Sequence, residues 1–153
     1  MKLEKQINES PAIDSSQPVY TLSIAAQLSG IPTHSIRQYI DRGLLIPYKL
    51  DSKRHLFSPN DISRLKNIHI LIHDKGLNFA GIRALMAMIP CWSLRQCSEI
   101  DRESCNAYNE NSNPCWESSQ KGRMCMNEDC RECDVYKNIS NEVDLKSVIK
   151  ALI

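Results

Sequence analysis

All seven cysteines of this 153-residue chain lie in one segment, between residues 91 and 133. Thiolates bind soft metals, either as zinc sites or as iron–sulfur clusters. The chain contains neither a membrane-length apolar run nor a signal-peptide core, so we expect a cytoplasmic protein without a membrane partner. Disulfides are rare there, and the odd cysteine count also argues against complete pairing. The pattern therefore favours metal binding or redox sensing over a disulfide framework.

The spacing within the cysteine segment suggests two groups of ligands. Cys130 and Cys133 are separated by two residues and can reach one metal ion, with Cys125 and Cys115 completing a four-thiolate set. The remaining cysteines form a second group that is one ligand short, namely Cys91, Cys97 and Cys105. No histidine lies in the segment. We favour an iron–sulfur cluster as the cofactor, with zinc as the alternative and metal-free thiol switching third.

The elements before the cysteines begin with a helical pair. In the stretch Thr33–Leu45, apolar residues recur at helical spacing, and Gly43 stands where a left-handed helix cap belongs. An earlier helix, Ser23–Ser29, is separated from it only by Gly30-Ile31-Pro32. Two helices joined by so tight a turn predict a helix-turn-helix.

A small hairpin and two further helices are predicted next. Short apolar runs near residues 44–48 and 55–57 flank a charged loop, which is typical of a two-stranded wing. Ser58-Pro59-Asn60-Asp61 has the sequence of a capped helix start. That helix should end near Gly76, and a shorter one should run from Asn78 to Pro90.

These patterns define a mainly α fold with four segments. Residues 1–18 read as a disordered polar tail, 19–89 as a winged helix-turn-helix, and 90–137 as a cysteine-rich module stabilised by metal. Residues 138–153 should form a short terminal helix with an apolar face that either mediates dimerisation or docks on its own domain. Net charge is only +1, but the segment from His34 to Lys75 is locally basic.

Short sequence motifs in residues 20–89 resemble those of the N-terminal domain of the MerR family of bacterial transcription regulators. The resemblance rests on Tyr20-Thr21-Leu22, Gly30-Ile31, Arg37-Gln38-Tyr39, Gly43-Leu44-Leu45 and Leu56-Phe57-Ser58 at their observed distances. Arg37-Gln38-Tyr39 and the run from Lys75 to Arg83 are similar to the heat-shock repressor branch called HspR. Pro90 stands where family members usually continue into a long dimerisation helix.

The resemblance implies a homodimer that binds a double-stranded DNA operator and acts on RNA polymerase at the promoter. The second helix would enter the major groove while the wing contacts phosphates. The expected DNA-binding residues are His34, Ser35, Arg37, Gln38 and Tyr39 on the helix, and Lys49, Lys53, Arg54 and His55 on the wing. Two positions depart from the family pattern, because Ile40 replaces the usual acidic residue and His55 a common arginine.

Three functions follow from these expectations. The first is a DNA-binding transcription regulator whose cysteine module senses redox state or metal. A MerR relative, the SoxR type, has a similar order of parts but a more compact ligand spacing. The second is a DNA-binding repressor with a purely structural zinc site, regulated by a partner protein. The third, a redox or electron-transfer protein, is disfavoured, and no catalytic signature indicates an enzyme.

Overall fold

The computed structural model describes residues 14–138 and 145–152. The first half is mainly helical with a two-stranded antiparallel hairpin, as predicted. Its elements are α1 (Leu22–Ser29), α2 (Thr33–Asp41), β1 (Tyr48–Lys49), β2 (His55–Leu56), α3 (Pro59–His73) and α4 (Phe79–Ala87).

Local signals at the helix ends explain α1 and α2. The Thr21 hydroxyl accepts a hydrogen bond from the backbone N–H of Ile24, which satisfies one free donor at the start of α1. Gly30 has a left-handed backbone, with φ of 73°, and turns the chain into α2. Gly43 follows α2 with φ of 75°. The predicted helix-turn-helix is confirmed.

The wing is shorter than the apolar runs suggested. Tyr48 lies opposite Leu56 and Lys49 opposite His55, so β1 starts only after Pro47. The backbone N–H of Leu50 donates to the Arg54 carbonyl over 2.9 Å, which closes the loop. Leu44 and Leu45, which belong to the predicted strand run, are buried and lie outside β1.

The start of α3 shows both bonds of a capping box. The Ser58 hydroxyl accepts from the Asp61 backbone N–H, and the Asp61 carboxylate accepts from the Ser58 backbone N–H over 2.7 Å. Pro59 occupies the first turn, where its missing N–H costs nothing. The Asn78 side chain caps α4 in a similar way by accepting from the Gly81 N–H over 2.8 Å. Both predicted helix starts are confirmed.

The second half consists of short elements joined by loops. They are α5 (Cys91–Arg95), α6 (Glu99–Glu103), α7 (Asn106–Asn109), 3-10 turns at Cys115–Glu117 and Cys130–Glu132, α8 (Asp134–Asn138) and α9 (Leu145–Leu152). The predicted terminal helix thus begins at Leu145, while Asn138 ends α8. In α9 Leu152 is 37% exposed, and the role of its apolar face stays a prediction.

Part of the predicted tail is ordered against α3. The Gln17 N–H donates to the Asp14 carbonyl, and the Asn60 N–H donates to the Ser15 carbonyl, both over 2.9 Å. Residues 14–18 therefore do not match the expectation of a disordered tail. Residues 1–13 lie outside the described residues.

One hydrophobic core joins the two halves. Trp116, Val135 and Tyr136 from the cysteine-rich segment belong to the same buried cluster as Ile36 and Leu65 from the helical half. Beside this core, both guanidinium nitrogens of the Arg131 side chain bond to Asp61, at 2.7 and 3.2 Å. Residue 90 therefore divides the chain by chemistry, whereas packing continues across it.

Removing this ion pair should destabilise the whole fold. We expect Arg131→Met to lower the free energy of unfolding by about 3 kcal/mol, because Asp61 would remain buried without its charged partner. Urea denaturation followed by circular dichroism measures the change. Arg123→Met is the matched control, since Arg123 is exposed, and it should cost less than about 0.5 kcal/mol. Equal stabilities of the two variants would contradict the prediction.

Candidate nucleic-acid interface and thiol cavity

An open groove separates α2 from the wing. Its walls carry four of the residues predicted to bind DNA, namely Arg37, Lys53, Arg54 and His55. Residues 21–23, at the start of α1, complete its lining. The fold therefore brings basic residues from two distant parts of the sequence onto one surface. The sequence analysis did not predict that α1 contributes to this groove, although Thr21 is a residue type that favours the start of a helix.

The other predicted interface residues divide by exposure. His34, Gln38 and Lys49 are exposed, whereas Ser35 is partly buried. Tyr39 is only 3% exposed, its ring packs edge to face on Phe79, and burial raises its pKa. Tyr39 thus packs in the core, and its contact with DNA stays a prediction. Its place in the apolar stripe of α2 predicted this burial, and only the family position suggested DNA contact.

All seven cysteines line a single cavity. None of them is in a disulfide, and each is partly buried. Trp92 and Tyr108 contribute to the wall and pack edge to face, with ring centroids 5.3 Å apart. The two groups proposed from spacing are thus not separate in space. The path of the chain from residue 97 to residue 125, through short helices and loops, brings the two groups together. The sequence analysis found no periodic pattern that predicts this path.

The thiols surround the cavity and do not converge on one point. Among the described residues, no three cysteine, histidine or carboxylate side chains already have the geometry of a metal site. Side-chain rotation would have to precede metal binding. The donor set itself fits a soft metal, because it consists of thiols beside aromatic rings in an apolar cavity.

Burial and mutual proximity control the thiol electrostatics. Burial, followed by the neighbouring thiols, raises the pKa of Cys91 to about 11 and that of Cys115 to about 12. Burial also raises the pKa of Cys125. Without a compensating positive charge these thiols therefore stay protonated near neutral pH.

Three cationic side chains adjoin cavity thiols. The Lys121 ammonium donates to Sγ of Cys130 over 3.1 Å. Burial raises the pKa of the Cys125 thiol, and the nearby Arg95 charge acts in the opposite direction. The neighbouring Cys97 thiol raises the pKa of Arg102. Such cations stabilise thiolates and would favour a negatively charged centre.

Residues next to the cysteines contact the link between α2 and the wing. The Trp116 indole N–H donates to the Gly43 carbonyl over 2.7 Å. The Ile46 N–H donates to the Tyr136 hydroxyl over 2.7 Å, and Arg131 donates to the Ile46 carbonyl over 2.5 Å. A short path therefore connects the thiol cavity to the segment between α2 and β1.

Arg64 supports the same contact from α3. It is 1% exposed, its guanidinium lies 3.6 Å from the centroid of the Tyr136 ring, and it donates to the Tyr136 carbonyl. Burial lowers its pKa. Arg64 therefore contacts Tyr136 twice, through the face of its ring and through its carbonyl oxygen.

Comparison with known proteins agrees with the geometry of the first half. The family model for MerR HTH family regulatory proteins matches residues 20–89. This part of the chain, somewhat less than half of it, is therefore similar to the MerR family over the whole helix-turn-helix, wing and following two helices. The match ends just before Cys91, so the cysteine cavity lies outside the MerR domain.

Curated relatives show the same pattern. Over 71 residues the MerR domain region is 38% identical to the heat shock protein HspR of Streptomyces coelicolor, covering 46% of this chain and 47% of the relative. Over 73 residues it is 36% identical to the HTH-type transcriptional regulator GlnR of Bacillus anthracis and of Bacillus cereus, covering 48% of this chain and 56% of each relative. The chain spans about half the length of these relatives.

These comparisons bear on two further expectations. The GlnR relatives and the matching family are named as regulators, which agrees with the prediction of a regulator rather than an enzyme. The HspR similarity expected from the sequence of the MerR domain is also confirmed. Within the described residues, the helices are too short or too polar to span a membrane.

The burial of Tyr39 distinguishes packing from DNA contact. We expect Tyr39→Phe to keep operator affinity within about twofold, because the ring packs on Phe79 and the side chain faces the core. Tyr39→Ala should lower the free energy of unfolding by about 3 to 5 kcal/mol. Fluorescence anisotropy with labelled operator and urea denaturation measure the two effects. A loss of operator affinity above tenfold in folded Tyr39→Phe would instead support a DNA contact by the Tyr39 hydroxyl.

Proposed function

We propose that this protein is a DNA-binding transcription regulator whose cysteine module responds to redox state or metal. The observation that carries the DNA-binding part is the groove in which Arg37 of α2 faces Lys53 and Arg54 of the wing. The major groove of DNA admits one α-helix, and flanking phosphates are typical partners of basic wing residues. The exposed face of α2 then reads bases while the wing fixes its register.

The side chains on α2 suit different parts of DNA. Gln38 can form two hydrogen bonds to adenine, and Arg37 two to guanine. His34 and Ser35, at the start of the helix, suit phosphate or base edges. Residues 21–23 at the start of α1 also line the groove, and the beginning of a helix favours phosphate.

We further propose a cytoplasmic homodimer that acts on RNA polymerase at a two-fold symmetric operator. Dimeric readers place two recognition helices on successive half-sites, so operator symmetry follows from protein symmetry. The terminal helix α9 is the proposed dimer contact, since its Leu152 is exposed. A change in the distance or angle between the α2 helices of the two subunits would then change the shape of the promoter DNA.

The cysteine module is proposed to hold a thiolate-bound metal centre, either an iron–sulfur cluster or zinc. Support comes from the common cavity of the thiols, from their cationic neighbours and from the lack of disulfides among them. Once bound, such a centre supplies redox sensitivity or a metal-dependent crosslink. The residues of this chain provide the thiolates, their charge compensation and an aromatic wall.

The signal would pass through the contacts beside the cysteines. Cys115 precedes Trp116, and Cys130 precedes Arg131. Rotation of these thiols toward a metal shifts the adjacent side chains, which hold Gly43 and Ile46. Because these two residues lie between α2 and β1, the shift changes the angle between recognition helix and wing.

A second candidate is a repressor with a purely structural zinc site, regulated by a partner protein. The shared core favours it, because a module packed this closely would support the MerR domain without sensing anything. The similarity to HspR is compatible with it as well. Operator affinity and unfolding, both measured with and without bound metal, separate the two candidates, because a sensor changes its affinity while it stays folded, whereas loss of a structural zinc lowers the stability of the fold.

Substitutions in the groove test the DNA interface. We expect Arg37→Ala and Gln38→Ala each to weaken specific operator binding about tenfold to a hundredfold, through lost base contacts. Lys53→Ala should weaken binding equally on all sequences and reduce the salt dependence by about one phosphate contact. Anisotropy titrations at several salt concentrations measure both. The exposed Arg123→Ala is the control, and unchanged affinity in all three groove variants would overturn this interface.

Removal of one hydrogen bond tests signal transmission. Trp116→Phe keeps an aromatic ring against Tyr136 but loses the bond to the Gly43 carbonyl. We expect unchanged metal content and a ratio of operator affinities, metal-bound to metal-free, that falls toward one. Trp92→Phe is the matched control, because Trp92 packs on Tyr108 within the module. An unchanged ratio in Trp116→Phe would contradict this route.

A further inference from the structure

A small cavity, the Arg64 cavity, lies between the start of α3 and the end of the cysteine module. Its wall includes Ser58, Asn60 and Arg64 on the α3 side, and Glu132 and Tyr136 on the side of the module. It has a volume of about 20 Å³, which is enough for one water-sized species. Tyr136 also lines the thiol cavity, so the two cavities adjoin on opposite sides of one residue.

Arg64 brings unpaired hydrogen-bond donors to this cavity. Its Nη2 donates to the Tyr136 carbonyl, whereas its Nε and Nη1 are buried and have no hydrogen-bond partner among the described residues. Within the part of the chain that the structure describes, no other side chain has two buried nitrogens without a partner. Guanidinium nitrogens can only donate, so their missing partner must be an acceptor. Leaving such donors buried and unpaired is costly.

The charges around the Arg64 cavity leave one cation in excess. Both carboxylate oxygens of Asp61 bond to Arg131, at 2.7 and 3.2 Å. The Lys137 ammonium pairs with Glu132 at 2.9 Å. Arg64 is only 1% exposed and forms no ion pair with a carboxylate of the described residues. A buried charge of this kind is stabilised by a counter-ion.

We propose that the Arg64 cavity binds one halide-sized monovalent anion, held by Nε and Nη1 of Arg64 and by the Ser58 hydroxyl. The Ser58 oxygen accepts from the Asp61 N–H over 3.2 Å, so its own proton is available to the anion. A water molecule in this place would accept the hydrogen bonds but leave the excess charge, whereas an anion answers both. This site does not depend on the proposed DNA binding or on a metal in the thiol cavity.

The position of the cavity predicts what a bound anion would do. Arg64 belongs to α3 and Tyr136 to α8, so the anion would lie at the contact between the two halves of the chain. Because the site exists only when the halves are packed together, binding would stabilise the folded state by mass action.

Thermal unfolding of the full chain at constant ionic strength tests the site. Chloride is raised to about 0.5 M while gluconate, a much larger monovalent anion, is lowered by the same amount. We expect the unfolding midpoint to rise by about 3 °C, with the logarithmic dependence on chloride concentration of binding at one site. An unfolding midpoint that does not rise with chloride would overturn the proposal.

Two variants on α3 locate the effect. Arg64→Met removes the charge and both unpaired donors, so its unfolding midpoint should not rise with chloride. Lys66→Met is the matched control, because Lys66 is an exposed cation on the same helix, and it should keep the full rise. An equal rise in Arg64→Met and in the unsubstituted chain would place chloride binding elsewhere and contradict the site.

A crystal of the unsubstituted chain grown in bromide keeps the proposal testable if Arg64→Met does not fold. We expect an anomalous bromide peak within hydrogen-bonding distance of Nε or Nη1 of Arg64. A peak without anomalous signal would assign the cavity to an ordered water and overturn the anion site.

Discussion

The buried ion pair between Asp61 and Arg131 is the interaction on which the rest of the structure depends. Asp61 is 2% exposed and accepts hydrogen bonds from the Ser58 N–H and from Arg131. Arg131 donates further to the Ile46 carbonyl. A buried pair is stabilising only when its remaining hydrogen-bonding groups find partners, and here they do so. One carboxylate thus holds the start of α3, the link to the wing and the loop carrying Cys130.

Contacts with the first half of the chain explain how a module of such short elements can be ordered. Its helices between residues 91 and 109 have four or five residues each, too few for independent stability. Packing of Trp116 and Tyr136 into the core of the MerR domain supplies part of the missing stability. A metal centre would supply more, since binding free energy becomes folding free energy when ligands come from distant loops.

Sequence reasoning succeeded where structure is local and failed where it depends on distant contacts. The capping box at Ser58 and the left-handed Gly43 depend on neighbouring residues, and both were predicted. Tyr39 lies both in the apolar stripe of α2 and at a family position for DNA contact, and its packing on Phe79 agrees with the stripe. The single thiol cavity could not be predicted, because spacing divided the seven cysteines into two groups while the path of the chain between them is not encoded in any short pattern.

The position of the cysteine module has a consequence for how a signal can reach DNA. The MerR resemblance implies a long dimerisation helix that continues from the fourth helix. Here α4 ends at Ala87, and after Pro90 the short helix α5 starts at Cys91. The thiol cavity instead lies one hydrogen bond from Gly43, through Trp116. A Cβ at Gly43, whose backbone is left-handed, would meet the side chain of Glu117. Because the residues beside the cavity contact the chain between α2 and β1, we propose that the thiols act on α2 within one chain, without routing the change through a dimer interface.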